Sequence, residues 1–297
     1  MNNIYKLIRY AIVIVLILSI ANITPAEEDG KKNFLWEIES KNNIVYLLGS
    51  LHLFKEEDYP LDPEIERAFD NSQVLVFEID PDSVSAPEVQ NLMLKKSIYE
   101  NGKTLKENIS PETYNSISEK IKELGLEIQN FNNFKPWFVS ITLALLKLQN
   151  LGFDPNRGID RYFFNKAKKD KKETKSLETV EFQLNLFADL SPKIQEEMLQ
   201  QTLKDLDIIE EHMNDIVGYW KNGNTKNLKE IIFESLDDYP ELYAKIFKER
   251  NHDWLKQIEP FLNENQNYMV VVGSGHLLGK DGLINLLEEK GYKVKQL

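Results

Sequence analysis

Two segments of this chain repeat one arrangement. Ile44-Val-Tyr-Leu-Leu-Gly49-Ser-Leu-His52 is an apolar run followed by Gly-Ser-x-His, and Tyr268-Met-Val-Val-Val-Gly273-Ser-Gly-His276 is another. Each histidine stands just past a run of strand type, and open α/β sheets bind ligands outside the C-terminal ends of their strands. Glycine lets the backbone turn sharply there, so that a following side chain can point over the sheet edge. A third apolar run, Val74–Ile79, closes on Glu78. If these strands are parallel neighbours, His52, His276 and Glu78 converge. Two imidazoles and a carboxylate can hold a divalent metal with positions open for water and substrate. Such a metal would acidify its water and polarise a carbonyl. The same groups could work without metal, one histidine as general base and Glu78 as its orienter. The plainer alternative makes each histidine a satisfied turn residue and Glu78 a surface carboxylate at a strand end.

Other groups carry weaker signals. The chain has four histidines and no cysteine, which excludes disulfides, thiol catalysis and thiolate zinc sites. His212 lies in a charged amphipathic helical stretch and reads as part of a solvated face; His252 follows Arg250-Asn251 after a helix. Ser50 and Ser274 each precede a histidine by two places, but neither loop has the G-x-S-x-G form of a nucleophile elbow. The glycine-rich stretch Gly273–Gly282 lacks both phosphate-loop patterns. The lysines between Lys166 and Lys175 are interleaved with acids and read as a solvated helix end.

The elements that must position these groups are legible in outline. Of 297 residues 42% are apolar, enough for a real core. Lys and Arg number 36 and Asp and Glu 48, a formal charge of −12 that argues against nucleic acid as a partner. Lys6 and Arg9 precede the apolar run Ala11–Ile20, a small-residue exit ending at Ala26, and Glu27-Glu28-Asp29. This is the pattern of a secretory signal. Residues 1–26 are therefore expected to be a signal peptide or an uncleaved N-terminal anchor, and residues 27–297 one domain outside the cytoplasm: periplasmic, extracellular or membrane-tethered. That anchor would be the one membrane attachment.

Leu35–Glu39 and Ile44–Leu48 predict a hairpin, and Leu61–Phe69 a helix. The middle carries helix punctuation: Ser110-Pro111 opens a helix that stops at Gly125, Pro136–Gln149 is apolar, and Gly158–Asp170 is amphipathic before a strand at Thr174–Leu177. Ser191-Pro192 opens a helix expected to run to Gly223, with further helices over Leu228–Arg250 and Trp254–Leu262. The strand Tyr268–Val272, helix Leu283–Lys290 and strand Tyr292–Gln296 predict a parallel pair with a crossover. The expected class is α/β or α+β: a mixed, partly parallel sheet built from both chain ends, with a large helical insertion.

At these residues the sequence resembles the TraB/GumN family, which includes PrgY-type pheromone-shutdown proteins and the Tiki metalloproteases. The likeness spans nearly the whole chain after residue 26. Its pieces are LLGSLHLF at Leu47–Phe54, YPLDPEIERAFDNSQVLVFEID at Tyr59–Asp80, Gly158-Ile-Asp160, Ser176-Leu-Glu178-Thr179 with Gln183 downstream, Glu249-Arg250-Asn251 before Trp254, and VVVGSGHLLGKDGLINLLEEKGYKV at Val270–Val294. The resemblance implies a fold shared with Tiki, erythromycin-esterase and ChaN-like proteins. It carries the paired G-x-x-H onto His52 and His276 and a strand-end glutamate onto Glu78, as catalytic residues and ligands of a divalent metal: manganese or cobalt, with zinc as a further candidate. Arg250 and Asn251 match a family pair suited to binding substrate carboxylate or carbonyl. Asp160 and Glu178 match family acids in a supporting role.

The function expected is an exported metal-dependent hydrolase, foremost a peptidase. Its alternatives are a non-catalytic peptide-binding or sequestering protein and a metal-free, esterase-like hydrolase. The partner expected is a peptide or small-molecule substrate.

Overall fold

A computed structural model of the chain describes residues 32–233, 236 and 239–297. The signal or anchor segment expected at residues 1–26 lies outside them. The described chain divides into two compact units, one of residues 32–80, 154–178 and 212–297, the other of residues 81–153 and 179–211.

The first unit holds six strands: β1 (Leu35–Glu39), β2 (Ile44–Ser50), β3 (Val74–Phe77), β4 (Glu173–Ser176), β5 (Tyr268–Gly273) and β6 (Val294–Gln296). Ser40 shapes the turn between β1 and β2, its hydroxyl accepting the amides of Asn42 and Asn43, both at 3.1 Å. The strands form one sheet in the order β4-β3-β5-β2-β1-β6. β2, β5, β3 and β4 run parallel, and β1 pairs antiparallel with β2 and β6. β3 and β5 are buried at every position, which is why they read as unbroken apolar runs. β4, of sequence ETKS, is an exposed edge.

This is the mixed α+β sheet expected from the two chain ends. One pairing differs. β5 and β6 do not pair with each other; β6 pairs antiparallel with β1 on the far side of β2. The link through helix Leu283–Glu289 therefore spans two intervening strands. Helix Pro63–Asn71 begins on Asp62, whose carboxylate accepts the Glu64 amide at 2.9 Å. Helix Ile159–Asp170 leads into β4, with Phe163 packed on Phe69 at a 5.5 Å ring separation.

The second unit is helical, the large insertion expected of the middle sequence. Its helices include Pro87–Ser97, Pro111–Glu123, Pro136–Asn150, Val180–Ala188 and Pro192–Asp205. Pro136–Asn150 is buried on nearly all sides and lies against Pro192–Asp205. The helix expected to run unbroken from Pro192 to Gly223 instead ends at Asp205 and resumes as Ile209–Lys221. No glycine or proline marks that break. The turn is closed by the Ile208 amide donating to the Asp205 carbonyl at 3.1 Å. Among the described residues no helix is long and apolar enough to cross a membrane.

Candidate functional site

Four parallel strands finish side by side at one edge of the sheet. Ser50 pairs with Gly273, and Phe77 pairs with both Val271 and Ser176. The ladder continues one step, the Glu178 amide donating to the Glu78 carbonyl at 2.8 Å. His52, Glu78, Glu178 and the His276 turn all follow directly from these strand ends.

Gly273 marks where they meet. A Cβ built on it would lie 3.2 Å from Glu78 Oε1, 3.5 Å from His52 Nε2 and 3.6 Å from His276 Cδ2. The bare glycine thus leaves a small space bounded by a carboxylate and two imidazoles. Its own amide donates to Glu78 Oε1 at 2.7 Å.

His52 is half-buried, and its Nδ1 donates to Asp160 Oδ1 at 3.0 Å. Asp160 sits in the first turn of helix Ile159–Asp170, docked on the His52 loop by the Ile159 amide donating to the Leu51 carbonyl at 3.0 Å. With Nδ1 committed, Nε2 is the nitrogen that faces the Gly273 space. Burial opposes charging of the ring, but Asp160, seconded by Glu78, outweighs it and lifts the His52 pKa to about 9. His52 is an imidazolium at neutral pH.

His276 is its opposite. The ring is fully buried, 4.3 Å from Trp254 and 5.1 Å from Phe247 between centroids. Asn251 spends its amide donors on the carbonyls of His276, at 3.2 Å, and Asp281, at 2.7 Å. Its Oδ1 therefore faces the ring and accepts from Nδ1 at 2.6 Å. His276 Nε2 is then a lone pair, and Arg250 Nη1 donates to it at 3.0 Å. Burial first, and the Arg250 charge second, hold the His276 pKa well below the usual histidine range. The ring is neutral.

Arg250 binds the set together. Its Nη2 donates to Glu78 Oε2 at 2.8 Å and Glu178 Oε2 at 2.9 Å, its Nε to Glu178 Oε1 at 2.9 Å, and Nη1 also to the Ile246 carbonyl at 3.1 Å. Burial resists ionisation of Glu78, but Arg250, with the histidines and the Gly273 amide, holds its pKa down to about 2. Arg250 and Asn251 were read as substrate binders. Here their donors are spent within the protein, and they fix Glu78 and His276. Arg250 leads a helix, Glu249–Ile258, that follows a π-helical turn at Ala244–Lys248.

A catalytic metal is ordinarily held by three protein donors. His52 Nε2 and Glu78 Oε1 turn to the Gly273 space, but His276 shows it Cδ2 and keeps Nε2 on Arg250. As arranged, the donor set does not fit a metal ion, and among the described residues no group of three His, Asp or Glu side chains does.

Sequence reasoning missed Trp254, whose ring lies 4.7 Å from the Arg250 guanidinium as well as against His276. The i, i+4 spacing of Arg250 and Trp254 on one helix was the available signal. His212, read as solvated, is buried, with no partner for Nδ1 among the described residues. His252 is exposed and lies 3.8 Å from Asp281 Oδ1. Ser274 Oγ donates to the Ser50 carbonyl at 3.0 Å, while Ser50 Oγ is buried without a partner among the described residues.

Comparison with known proteins gives this arrangement a context. Residues 34–296 match the model of the TraB/PrgY/gumN family. The uncharacterized protein YbaP of Escherichia coli is 24% identical over 246 residues, covering 83% of this chain and 88% of YbaP. The metalloprotease TIKI2 of Danio rerio is 23% identical over 325 residues, 91% of this chain and 62% of TIKI2. The metalloprotease TIKI1 of the same fish is 23% identical over 321 residues, 92% of this chain and 64% of TIKI1. No solved structure gives a significant match.

Proposed function

The chain belongs to the TraB/PrgY/gumN family, and from that membership we propose that it is an exported hydrolase that cuts a peptide bond in the space before Gly273. The observation that carries the reading is the meeting of His52 Nε2, Glu78 Oε1 and the His276 ring around that glycine. The relatives named metalloprotease support the bond class. The charged N-terminal head, apolar run and small-residue exit support export.

His52, protonated at neutral pH, hydrogen-bonds through Nε2–H to the substrate carbonyl oxygen during attack and gives that one proton to the leaving amine as the C–N bond breaks. Asp160 keeps the ring oriented for both tasks. Glu78, an anion through neutral pH, orients the attacking water and takes one of its protons, which returns to the His52 imidazole once the amine has left. Water oxygen bonds to the carbonyl carbon, the C–N bond breaks, and the amine leaves with one added proton. His276, Arg250 and Glu178 hold Glu78 in place and do not touch the substrate. Because the donor set as arranged does not fit a metal, no step is assigned to one.

The low pKa of Glu78, about 2, makes it a weak base and favours one second reading: a peptide-binding protein that uses the same space without cutting. One experiment separates the two. A peptide mixture is incubated with the purified chain, with His52→Ala and with Glu78→Gln, and the products are read by mass spectrometry. Chelator arms and arms with added manganese, cobalt or zinc run in parallel. Cleavage by the parent chain alone supports the hydrolase. Peptide retained uncut by all three proteins supports the binder.

A further inference from the structure

We propose that Arg250 is the resident cation of this site and keeps divalent metal out of it, by holding both His276 Nε2 and Glu78 Oε2. The inference goes beyond the hydrolase reading and stands whether or not a peptide bond is the target.

The guanidinium is 5% exposed, and every donor it has is placed: Nε on Glu178, Nη1 on Ile246 O and His276 Nε2, Nη2 on Glu78 and Glu178. Trp254 lies flat enough against it for a ring-to-guanidinium separation of 4.7 Å. Glu178, its bidentate partner, is itself fixed to the extended ladder by the Glu78 carbonyl. The Arg250 bond to Nε2 and the Asn251 bond to Nδ1 would have to break before the His276 ring could turn Nε2 to a metal.

Charge argues the same way. Glu78 and Glu178 are both paired with the buried Arg250, at 2.8 and 2.9 Å. A divalent ion at Glu78 would join a fixed positive charge rather than a bare acidic pocket. An arginine does not give up its proton in a protein, so this cation cannot be titrated away to make room. Removing one partner of a buried ion pair is strongly unfavourable. The same residues that resemble a metal's ligand set are therefore organised here around an organic cation.

The test reads metal, not activity. The purified parent chain, Arg250→Met, and Arg250→Met with His276→Ala are dialysed against zinc and assayed by elemental mass spectrometry. Ring-nitrogen NMR of His276 in the parent chain is followed as zinc is added. The parent chain should hold substoichiometric metal, and its His276 nitrogens should not move. Arg250→Met should bind zinc at least ~100-fold more tightly than the parent, and the double variant should lose that gain. A parent chain holding one metal, a His276 Nε2 resonance displaced by zinc, or a folded Arg250→Met that stays empty each overturns the proposal. If Arg250→Met does not fold, the parent chain's metal content and NMR titration decide it. Absence of peptide cleavage by a metal-free parent chain would count against the hydrolase reading alone.

Discussion

Gly158 lies so close beneath His52 that a Cβ on it would stand 2.3 Å from the His52 carbonyl oxygen and 3.1 Å from its Cα. The φ of Gly158 is −55°, a value open to any residue, so space rather than conformation requires glycine here. The contact sets helix Ile159–Asp170 at the distance that puts Asp160 on His52 Nδ1. Gly158→Ala must push that helix or the His52 loop aside. The expected cost is about 1–3 kcal/mol of stability, read by urea denaturation, with a fall in the His52 pKa by NMR as Asp160 retreats. An unchanged His52 pKa in Gly158→Ala would show that the packing does not set the dyad.

Asp160 gives the fold a pH dependence with a definite sign. The folded-state pKa of His52 is raised to about 9, above the value near 6.5 of an unfolded histidine. A raised histidine contributes stability that is fully present below pH ~6.5 and lost as pH climbs through ~9. The parent chain should therefore lose up to about 3 kcal/mol between those limits. Asp160→Asn should flatten the decline, measured as urea midpoints from pH 6 to 10.

Much of this geometry was legible in residues, and what was not has a physical cause. The strands ending at His52, Glu78 and Gly273 read clearly because a central parallel strand is buried on both faces and so is apolar without interruption. Glycines 49 and 273 read as places for a sharp turn, yet both lie in strands, where a Cβ would meet Phe34 at 2.4 Å and Glu78 Oε1 at 3.2 Å. The direction in which Arg250 points was not legible. A sequence shows a cation on a helix but not whether its donors face solvent or two buried carboxylates. The placement of β6 beside β1 depends on long-range pairing that no local signal encodes. The break after Asp205 lacks any breaker residue, and the burial of His212 depends on packing that its charged neighbours Glu210 and Glu211 conceal.

Asp205 supplies an independent prediction. It is fully buried, with Oδ1 accepting from Gln201 at 2.9 Å and no partner for Oδ2 among the described residues. Burial lifts its pKa to about 7. A raised carboxyl favours the fold below its unfolded pKa of ~3.9, and that advantage is lost as pH rises through ~7. Asp205→Asn removes the titration. The variant should be more stable than the parent at pH 8, on the order of 2 kcal/mol once an unpaired amide is allowed for, and less stable near pH 4, where that amide cost stands alone. A deficit in Asp205→Asn at pH 8 would contradict the assignment.

The proposed chemistry puts His52 and Glu78 on the substrate in the space before Gly273, with the His276 ring as part of its wall. The measurement that tests it most directly is peptide cleavage by Gly273→Ala. The added methyl would stand 3.2 Å from Glu78 Oε1 and 3.5 Å from His52 Nε2, filling the space while leaving each side chain intact. The account predicts a folded protein with a circular dichroism spectrum like the parent's and cleavage reduced at least ~100-fold. A folded Gly273→Ala that cleaves as fast as the parent would contradict it, because the reaction would then be happening somewhere else.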